Sequence, residues 1–411
     1  MARALAAARA SHRLLLGLLL LTATNGLQAA TADVLYERLN ERLSLMRDVA
    51  AYKWRNDLPV EDAAREQVVI DAAATDALRY QIRPETAERF FAVQIEAAKD
   101  VQRYWLTRWA DGGAPDTEPD LVGVLRPRLL ALGEEILALA AQASAHDEAA
   151  FLEAVSADGL GEARLRELYD ALDGLRRYPS RLEQILDTGV VRVGTTGDYA
   201  PFSLAVDGGG YLGADIDLAR DLGHSLGVEV EFVATTWPSL MADLAAGRYD
   251  VAMGGVSRTV ERARVGFLSM PYHVGGKLPI ARCEDKRRFN SLAAIDQPDV
   301  RVIVNPGGTN EAFVDDHIHQ ARKVLHPDNR TIFQALADGE GDVMITDSIE
   351  VLLQTRQHPG LCGTMGQTLT YQEKAYLMPR DPALKTFVDT WLSLRLADGT
   401  VEAVLGAHLA R

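Results

Sequence analysis

Two domains of different architecture are expected from this chain, an all-helical domain followed by an α/β domain with largely parallel sheets. Two textures point to them. From Ala32 to about Arg177 the residues are rich in Ala, Leu, Glu and Arg at helical spacing, with almost no β-branched runs; that is the period of amphipathic helices. After "RRYPS" come short apolar runs, "VVRVGTT", "VEVEFVAT", "YDVAMGGV", "VRVIVN" and "GDVMIT", separated by helical stretches. Strands that alternate with helices make parallel sheets. A length of 411 residues suits two or three domains at roughly 150 residues each. No internal repeat and no long flexible linker interrupts it.

The amino end carries Arg3, Arg9 and Arg13 ahead of the apolar run Leu14–Leu21, followed by small residues. This is the layout of a cleaved export signal over residues 1–30, with the cut expected near Ala29 or Ala30. The run is too short to serve comfortably as a bilayer-spanning anchor. No later segment has a spanning run, so the mature protein is expected in the periplasm with no membrane span. The helical domain then occupies 31–178, with helices expected from about Asp33 to Asn56, Val60 to Tyr80, Pro84 to Ala110 and Leu121 to Gln142, and shorter ones up to Leu175. Pro84 fits a first helical turn, and "ADGGAPDTEPD" breaks the chain before the fourth helix. The α/β domain takes 179–411.

A formal net charge of −15 argues against nucleic acid as a partner, because phosphate binding needs a basic face. A small anion held locally remains compatible with it. Cys283 and Cys362 are the only cysteines. In an oxidising compartment they can pair, or both can be buried free thiols; spacing alone does not give the Cα distance that decides. Whether the chain forms a homo-oligomer is left open.

Within the helical domain, Arg42 and Lys53 are eleven residues apart, about three turns, and so share a face. Asp62, Arg65 and Glu66 share a face of the next helix, and Gln94, Ala98 and Gln102 a face of the third. Arg128 stands early on the fourth. Singly, each reads as ordinary helix-surface charge. As a set they bring several cations and polar groups to faces that can converge. The segments "ERL…AAYKWR…LPVEDAARE", "FFAVQIEAAKDVQ" and "LRPRLL" resemble the secreted, all-helical chorismate mutases over about Leu35 to Arg128. The reaction of that family is an intramolecular Claisen rearrangement, which needs positioning and electrostatics rather than a nucleophile, metal or cofactor. The resemblance implies that Arg42, Arg65 and Arg128 bind the two carboxylates of chorismate. It further implies that Lys53 and Gln102 donate to the ether oxygen, that Glu66 accepts from the ring hydroxyl and that Asp62 supports the cations. An amide at 102 donates at any ordinary pH, so no acid requirement is expected; Ala98 stands where relatives often carry a hydroxyl.

In the second half, "RLEQILDTGVVRVGTTGDYAPFS" and "GGVSRTVERARVGFLSMPY" resemble periplasmic amino-acid-binding proteins, whose fold of this type is two α/β lobes closing on a ligand. Ser257 and Arg262 stand at that family's carboxylate-contacting positions. "NPGGTNEAF" offers Gly308, Thr309 and Asn310 at a strand-to-helix turn suited to an anion. "TTGDYAPFS", "TTWPSLM", "IDQPDVRVIVNPGGTNEAF", "VLHPDNRTIFQALADG", "ITDSIEVLLQTRQHPGLC" and "EKAYLMPRD" together resemble the cyclohexadienyl dehydratases, an enzyme family on the same fold with cysteines at the positions of Cys283 and Cys362. That family expels hydroxide and carbon dioxide from prephenate or arogenate, and a poor leaving group needs a proton donor. The resemblance assigns that donor to Glu350, in an environment that keeps it protonated, and gives Asp198, Trp237, Asn310 and Asp347 as pocket residues, with Lys277 and Lys374 as weaker candidates. By residue type alone, Glu350 would be a solvated helix residue and Trp237 equally a packing residue. Two readings follow. One is a bifunctional enzyme converting chorismate to prephenate and then prephenate to phenylpyruvate, or arogenate to phenylalanine. The other is a periplasmic amino-acid receptor with a helical docking module.

Overall fold

The computed structural model describes residues 30–113, 119–143 and 146–410; the export signal expected over 1–30 lies, except for Ala30, outside them. The chain divides into two compact units between Tyr178 and Pro179.

Among its described residues the first unit is built of helices, with an isolated β-bridge between Ile82 and Arg177. Helix α1 covers 30–44 and α2 Met46–Arg55. Leu45 between them keeps right-handed helical dihedrals and its carbonyl accepts from Val49 N at 3.1 Å, so the two form one rod. Helix α3 spans Ala63–Ala77 and tightens into a 3₁₀ turn at Leu78–Tyr80. Its start is fixed reciprocally: Asp62 accepts from Arg65 N at 3.1 Å, and Glu66 accepts from Asp62 N at 3.0 Å, in the manner of a capping box. Helix α4, Pro84–Gly112, begins on proline and stops at Gly113, whose φ is 84°. A π-helical turn at Leu121–Leu125, capped by Asp120, leads into α5, Arg126–Gln142. Helices α6, Glu148–Ala154, and α7, Glu162–Asp173, complete the unit. The long α4 packs against α2, α3 and α7. The core that holds them is Leu35, Leu39, Phe90, Phe91, Ile136 and Phe151, all at most 2% exposed.

The second unit has two lobes. Helix α8, Arg181–Thr188, enters the first, whose sheet runs in the order β5 (Glu229–Ala234), β1 (Val190–Thr195), β6 (Val251–Ala252), β15 (Leu377–Met378), β7 (Phe267–Leu268). The second lobe's order is β11 (Arg322–Leu325), β10 (Arg301–Val304), β12 (Val343–Asp347), β9 (Lys277–Arg282), β13 (Leu361–Gly363). Three neighbouring strands of each sheet are parallel, as expected. The strands beyond them are antiparallel, β15 in the first and β9 in the second, so each sheet is mixed. The chain passes between lobes twice, through β8 (His273–Gly275) and back through β14 (Gln372–Lys374), which pair as an antiparallel ribbon. A small hairpin sheet of β2 (Asp198–Tyr199), β3 (Ser203–Ala205) and β4 (Tyr211–Leu212) edges the first lobe. C-terminal helices Pro382–Ala397 and Thr400–Leu409 return to its core through Leu384, Trp391 and Leu405. Cys283 and Cys362 form a disulfide in the second lobe, with Cα atoms 4.8 Å apart.

Candidate active sites

The helical unit holds a pocket lined by Arg42 and Met46 from the α1–α2 rod, Lys53 from its end, Asp62, Arg65 and Glu66 from the start of α3, Ala98, Lys99 and Gln102 from α4, and Arg126 from the start of α5. Many cations among the described residues are answered by carboxylates, and Lys99 is one of them, at 3.2 Å from Glu66 and 2.5 Å from Glu96. Among the described residues, Arg42, Lys53, Arg65 and Arg126 are not: Arg42 donates to the Leu129 carbonyl at 2.6 Å and Lys53 to the Val60 carbonyl at 2.6 Å. Burial pushes the Arg42 guanidinium down to about 10 and lowers the Lys53 ammonium against the pull of Asp62, Glu66 and Glu61. At about 10 the Arg42 guanidinium is still a cation at neutral pH. Gln102 is buried, donates to the Ala98 carbonyl at 3.2 Å, lies 3.7 Å from Met46 Sδ and leaves Oε1 without a partner. Such a pocket can hold a compact dianion and place two donors, Lys53 and Gln102, against it.

Arg128 is outside this pocket, contrary to expectation. Its guanidinium binds Glu41 at 2.6 Å and Glu135 at 2.7 Å on the outer face. Two positions along a helix is about 200° of rotation, so only one of Arg126 and Arg128 can face inward, and Arg126 does. Gln94 also does not line the pocket; it is buried with both side-chain polar atoms unpartnered. Sequence reasoning missed Arg126 and Lys99. The arginine pair in "LRPRLL" was the available signal, without the helix phase that chooses between its members.

In the α/β unit, strand register builds the second site. Lys277 on β9 lies directly opposite Asp347 on β12, and Lys374 bridges to Ser257 backbone to backbone. The two ammoniums therefore flank one carboxylate: Asp347 Oδ1 is 2.8 Å from Lys277 and Oδ2 is 2.6 Å from Lys374. The Tyr199 hydroxyl also donates to Asp347. Burial alone would raise the Asp347 carboxyl, but the two lysines override it and hold it well below the usual range. Lys277 also donates to Thr309 Oγ1 at 2.9 Å and to Asn310 Oδ1. Lys374 donates to Ser257 Oγ at 2.9 Å. Gly255, at φ 72°, lets the loop before Ser257 pass where a Cβ would lie 2.5 Å from Phe202 and Tyr199. Arg262 donates to the Ser257 carbonyl at 2.7 Å and lies 6.0 Å from the Trp237 ring. Trp237 donates to Asp198 at 3.1 Å and meets Tyr199 edge-on. The Asp198 carboxyl is raised by its burial.

Glu350, three residues past Asp347, behaves oppositely. It is 2% exposed, and burial, opposed by a Thr346 hydrogen bond and reinforced by Asp347, pushes it up to about 8. It stands in the first turn of the helix Ser348–Gln357. A helix N-terminus favours a carboxylate by about 1 kcal/mol, too little to offset desolvation. Thr346 contacts its Oε2, and Asn329 Nδ2 is 3.4 Å from Oε1. A neutral carboxylic acid beside an ionised one can deliver a proton at pH 7. The structure thus brings Asp198, Trp237, Ser257, Arg262, Thr309, Asn310, Asp347 and Glu350 together at the lobe junction. Tyr199, Asn329 and Thr346 join them, residues not singled out from the sequence although they lie in "TTGDYAPFS", "VLHPDNRTIFQALADG" and "ITDSIEVLLQTRQHPGLC".

Comparison with known proteins agrees with both units. Residues 191–409 match the bacterial extracellular solute-binding proteins of family 3, and 33–103 match chorismate mutase type II. The chain is 50% identical over 226 residues to the cyclohexadienyl dehydratase of Pseudomonas aeruginosa, covering 55% of this chain and 84% of that protein. It is 32% identical over 145 residues to a secreted chorismate mutase of Yersinia pestis, covering 34% of this chain and 78% of that one. Among solved structures, an ancestral amino-acid-binding protein described as a precursor of cyclohexadienyl dehydratase is 32% identical, with a TM-score of 0.52, and covers 56% of this chain and 99% of that one. A helical unit of the secreted chorismate mutase family is thus joined to an α/β unit of the extracellular solute-binding proteins of family 3, and the chain belongs to both.

Proposed function

We propose that this is an exported, bifunctional enzyme of phenylalanine formation that rearranges chorismate to prephenate in the helical pocket. The α/β unit then dehydrates and decarboxylates prephenate to phenylpyruvate, and handles arogenate, giving phenylalanine, by the same chemistry. The observation that carries the reading is the pair of opposite electrical environments: four cations with no carboxylate ion pair in one pocket, and a carboxyl held up at about 8 in the other. The periplasm is the expected compartment, consistent with secreted relatives and an oxidised cysteine pair.

In the first step Arg42, Arg65 and Arg126 hold the two carboxylates and fix the chair-like conformer. Lys53 and Gln102 donate to the ether oxygen as its C–O bond breaks and negative charge grows there, so the interaction strengthens at the transition state. Glu66 accepts from the ring hydroxyl, and Asp62 orders the first turn of α3. Arg126 replaces Arg128 in this assignment.

In the second step Arg262 and Ser257 bind a carboxylate, while Thr309 and Asn310 face the substrate from the second lobe. Trp237, held by Asp198, lies against the ring, and Asp347 ties Lys277 and Lys374 in place. Glu350 protonates the leaving hydroxyl. The ring carbon–carboxylate bond breaks, its electron pair enters the ring, and the carbon–oxygen bond breaks toward oxygen, so water and carbon dioxide leave and Glu350 ends as a carboxylate.

Purified protein given chorismate should consume it and form phenylpyruvate. Accumulation of prephenate alone would remove the second assignment, and no loss of chorismate the first. The receptor reading makes a different forecast: Glu350→Gln would then leave a binding protein unaltered in its function, whereas an enzyme should keep binding and lose turnover.

A further inference from the structure

Lys277 sets the direction of a chain of hydrogen bonds that ends on Glu350. An ammonium only donates, so the amide oxygen of Asn310 faces Lys277 and its Nδ2 faces outward, 3.1 Å from Thr346 Oγ1. Thr346 accepts there and spends its own hydrogen on Glu350 Oε2. With that donation made, the proton of neutral Glu350 sits on the other oxygen, Oε1. That oxygen is the one 3.4 Å from Asn329 Nδ2.

Asn329 itself is oriented by a partner that cannot donate. Its Nδ2 gives a 2.9 Å bond to the backbone carbonyl of Asp198, from the opposite lobe. Its Oδ1, on the same amide, is buried and has no partner among the described residues, while the residue is 5% exposed. A buried carbonyl oxygen, on the amide whose Nδ2 lies 3.4 Å from Glu350 Oε1, lacks a donor, and the reaction brings one: the hydroxyl that is about to leave.

Resting on the dehydratase reading, we propose that Asn329 is a catalytic residue whose Oδ1 accepts the hydrogen of the leaving hydroxyl while Glu350 Oε1 protonates its oxygen. Holding that hydrogen turns a hydroxyl lone pair toward Glu350. As the second proton arrives, the held O–H becomes more acidic and its bond to Oδ1 strengthens, which favours the transition state over bound substrate. No atom is transferred to or from Asn329; water leaves with both hydrogens.

The test uses the full chain with prephenate, comparing Asn329→Ala and Asn329→Asp. Alanine should lower kcat by roughly 30- to 100-fold, somewhat below the loss of an oxyanion-hole donor, with KM changed less than about threefold. Aspartate keeps an acceptor oxygen and should recover at least about tenfold of that loss; its neighbouring charge should move the alkaline limb of kcat upward. Phenylpyruvate binding, measured by calorimetry, should match the parent in both. The proposal falls if alanine costs less than about threefold, or if aspartate is no better than alanine, since only the amide donor would then matter. Loss of phenylpyruvate binding would make Asn329 a lobe-to-lobe tie and also overturn it. An inactive parent chain would instead remove the dehydratase reading.

Discussion

Glu350 and Asp347 share a strand end and a helix start, yet one is kept neutral and the other charged. The difference is the company of Lys277 and Lys374, which reach Asp347 directly. Dehydration should therefore slow as pH rises through about 8, where Glu350 loses its proton; a pH profile of kcat checks this. Glu350→Gln should lower kcat by on the order of 10³ and lack that limb. The stability sign follows from proton counts. A carboxyl raised from 4.5 to about 8 on folding binds more protons folded than unfolded across that window, so stability falls as pH climbs through it. Above pH 8 the Gln variant should be the more stable, by at most roughly 5 kcal/mol, and the gap should close toward pH 4.5 in denaturant titrations. In the other unit, Arg126→Ala should cost chorismate rearrangement about 10²-fold in kcat/KM, the scale of one charge-assisted pair. Arg128→Ala should stay within about threefold, because its partners are surface carboxylates. A mutase assay of the two variants would reverse the assignment if Arg128 proved the costly one.

At the scale of elements, much was written locally. Proline at 84 and the apolar runs that became β1, β5, β10 and β12 are short-range signals, and each appears where its pattern placed it. What escaped depends on phase or on partners distant in sequence. The turn at Leu121–Leu125 is π-helical, and that rotation decides which arginine of "LRPRLL" faces inward. The antiparallel strands β9 and β15 arise because the chain crosses between lobes twice, which no local run announces. Asn329 sits in a loop, without periodicity, and meets Glu350 21 residues on and Asp198 131 residues back. One element carries a direct test. The Cys283–Cys362 bridge closes a loop of 79 residues between the end of β9 and β13. Removing it by Cys362→Ala should cost the α/β unit about 2–4 kcal/mol in thermal unfolding and leave the helical unit's chorismate rearrangement unchanged.

For the whole molecule, the two chemistries respond differently to pH. One mutase donor, Gln102, is an amide with no titrating proton, while the dehydratase acid is a carboxyl held up at about 8. Time courses from chorismate should therefore build up prephenate at pH 9 and not at pH 6. The lobes of the α/β unit are also tied across their junction by Tyr199 to Asp347 and by Asn329 to the Asp198 carbonyl, with the β8–β14 ribbon as a pair of strands between them. Glu350 is 2% exposed in this arrangement. Once it has become a carboxylate, regaining a proton from bulk solvent should require the lobes to part. Catalysis and breathing must then alternate one for one, and thickening the solvent with sucrose should drag on phenylpyruvate production while leaving the rearrangement of chorismate untouched.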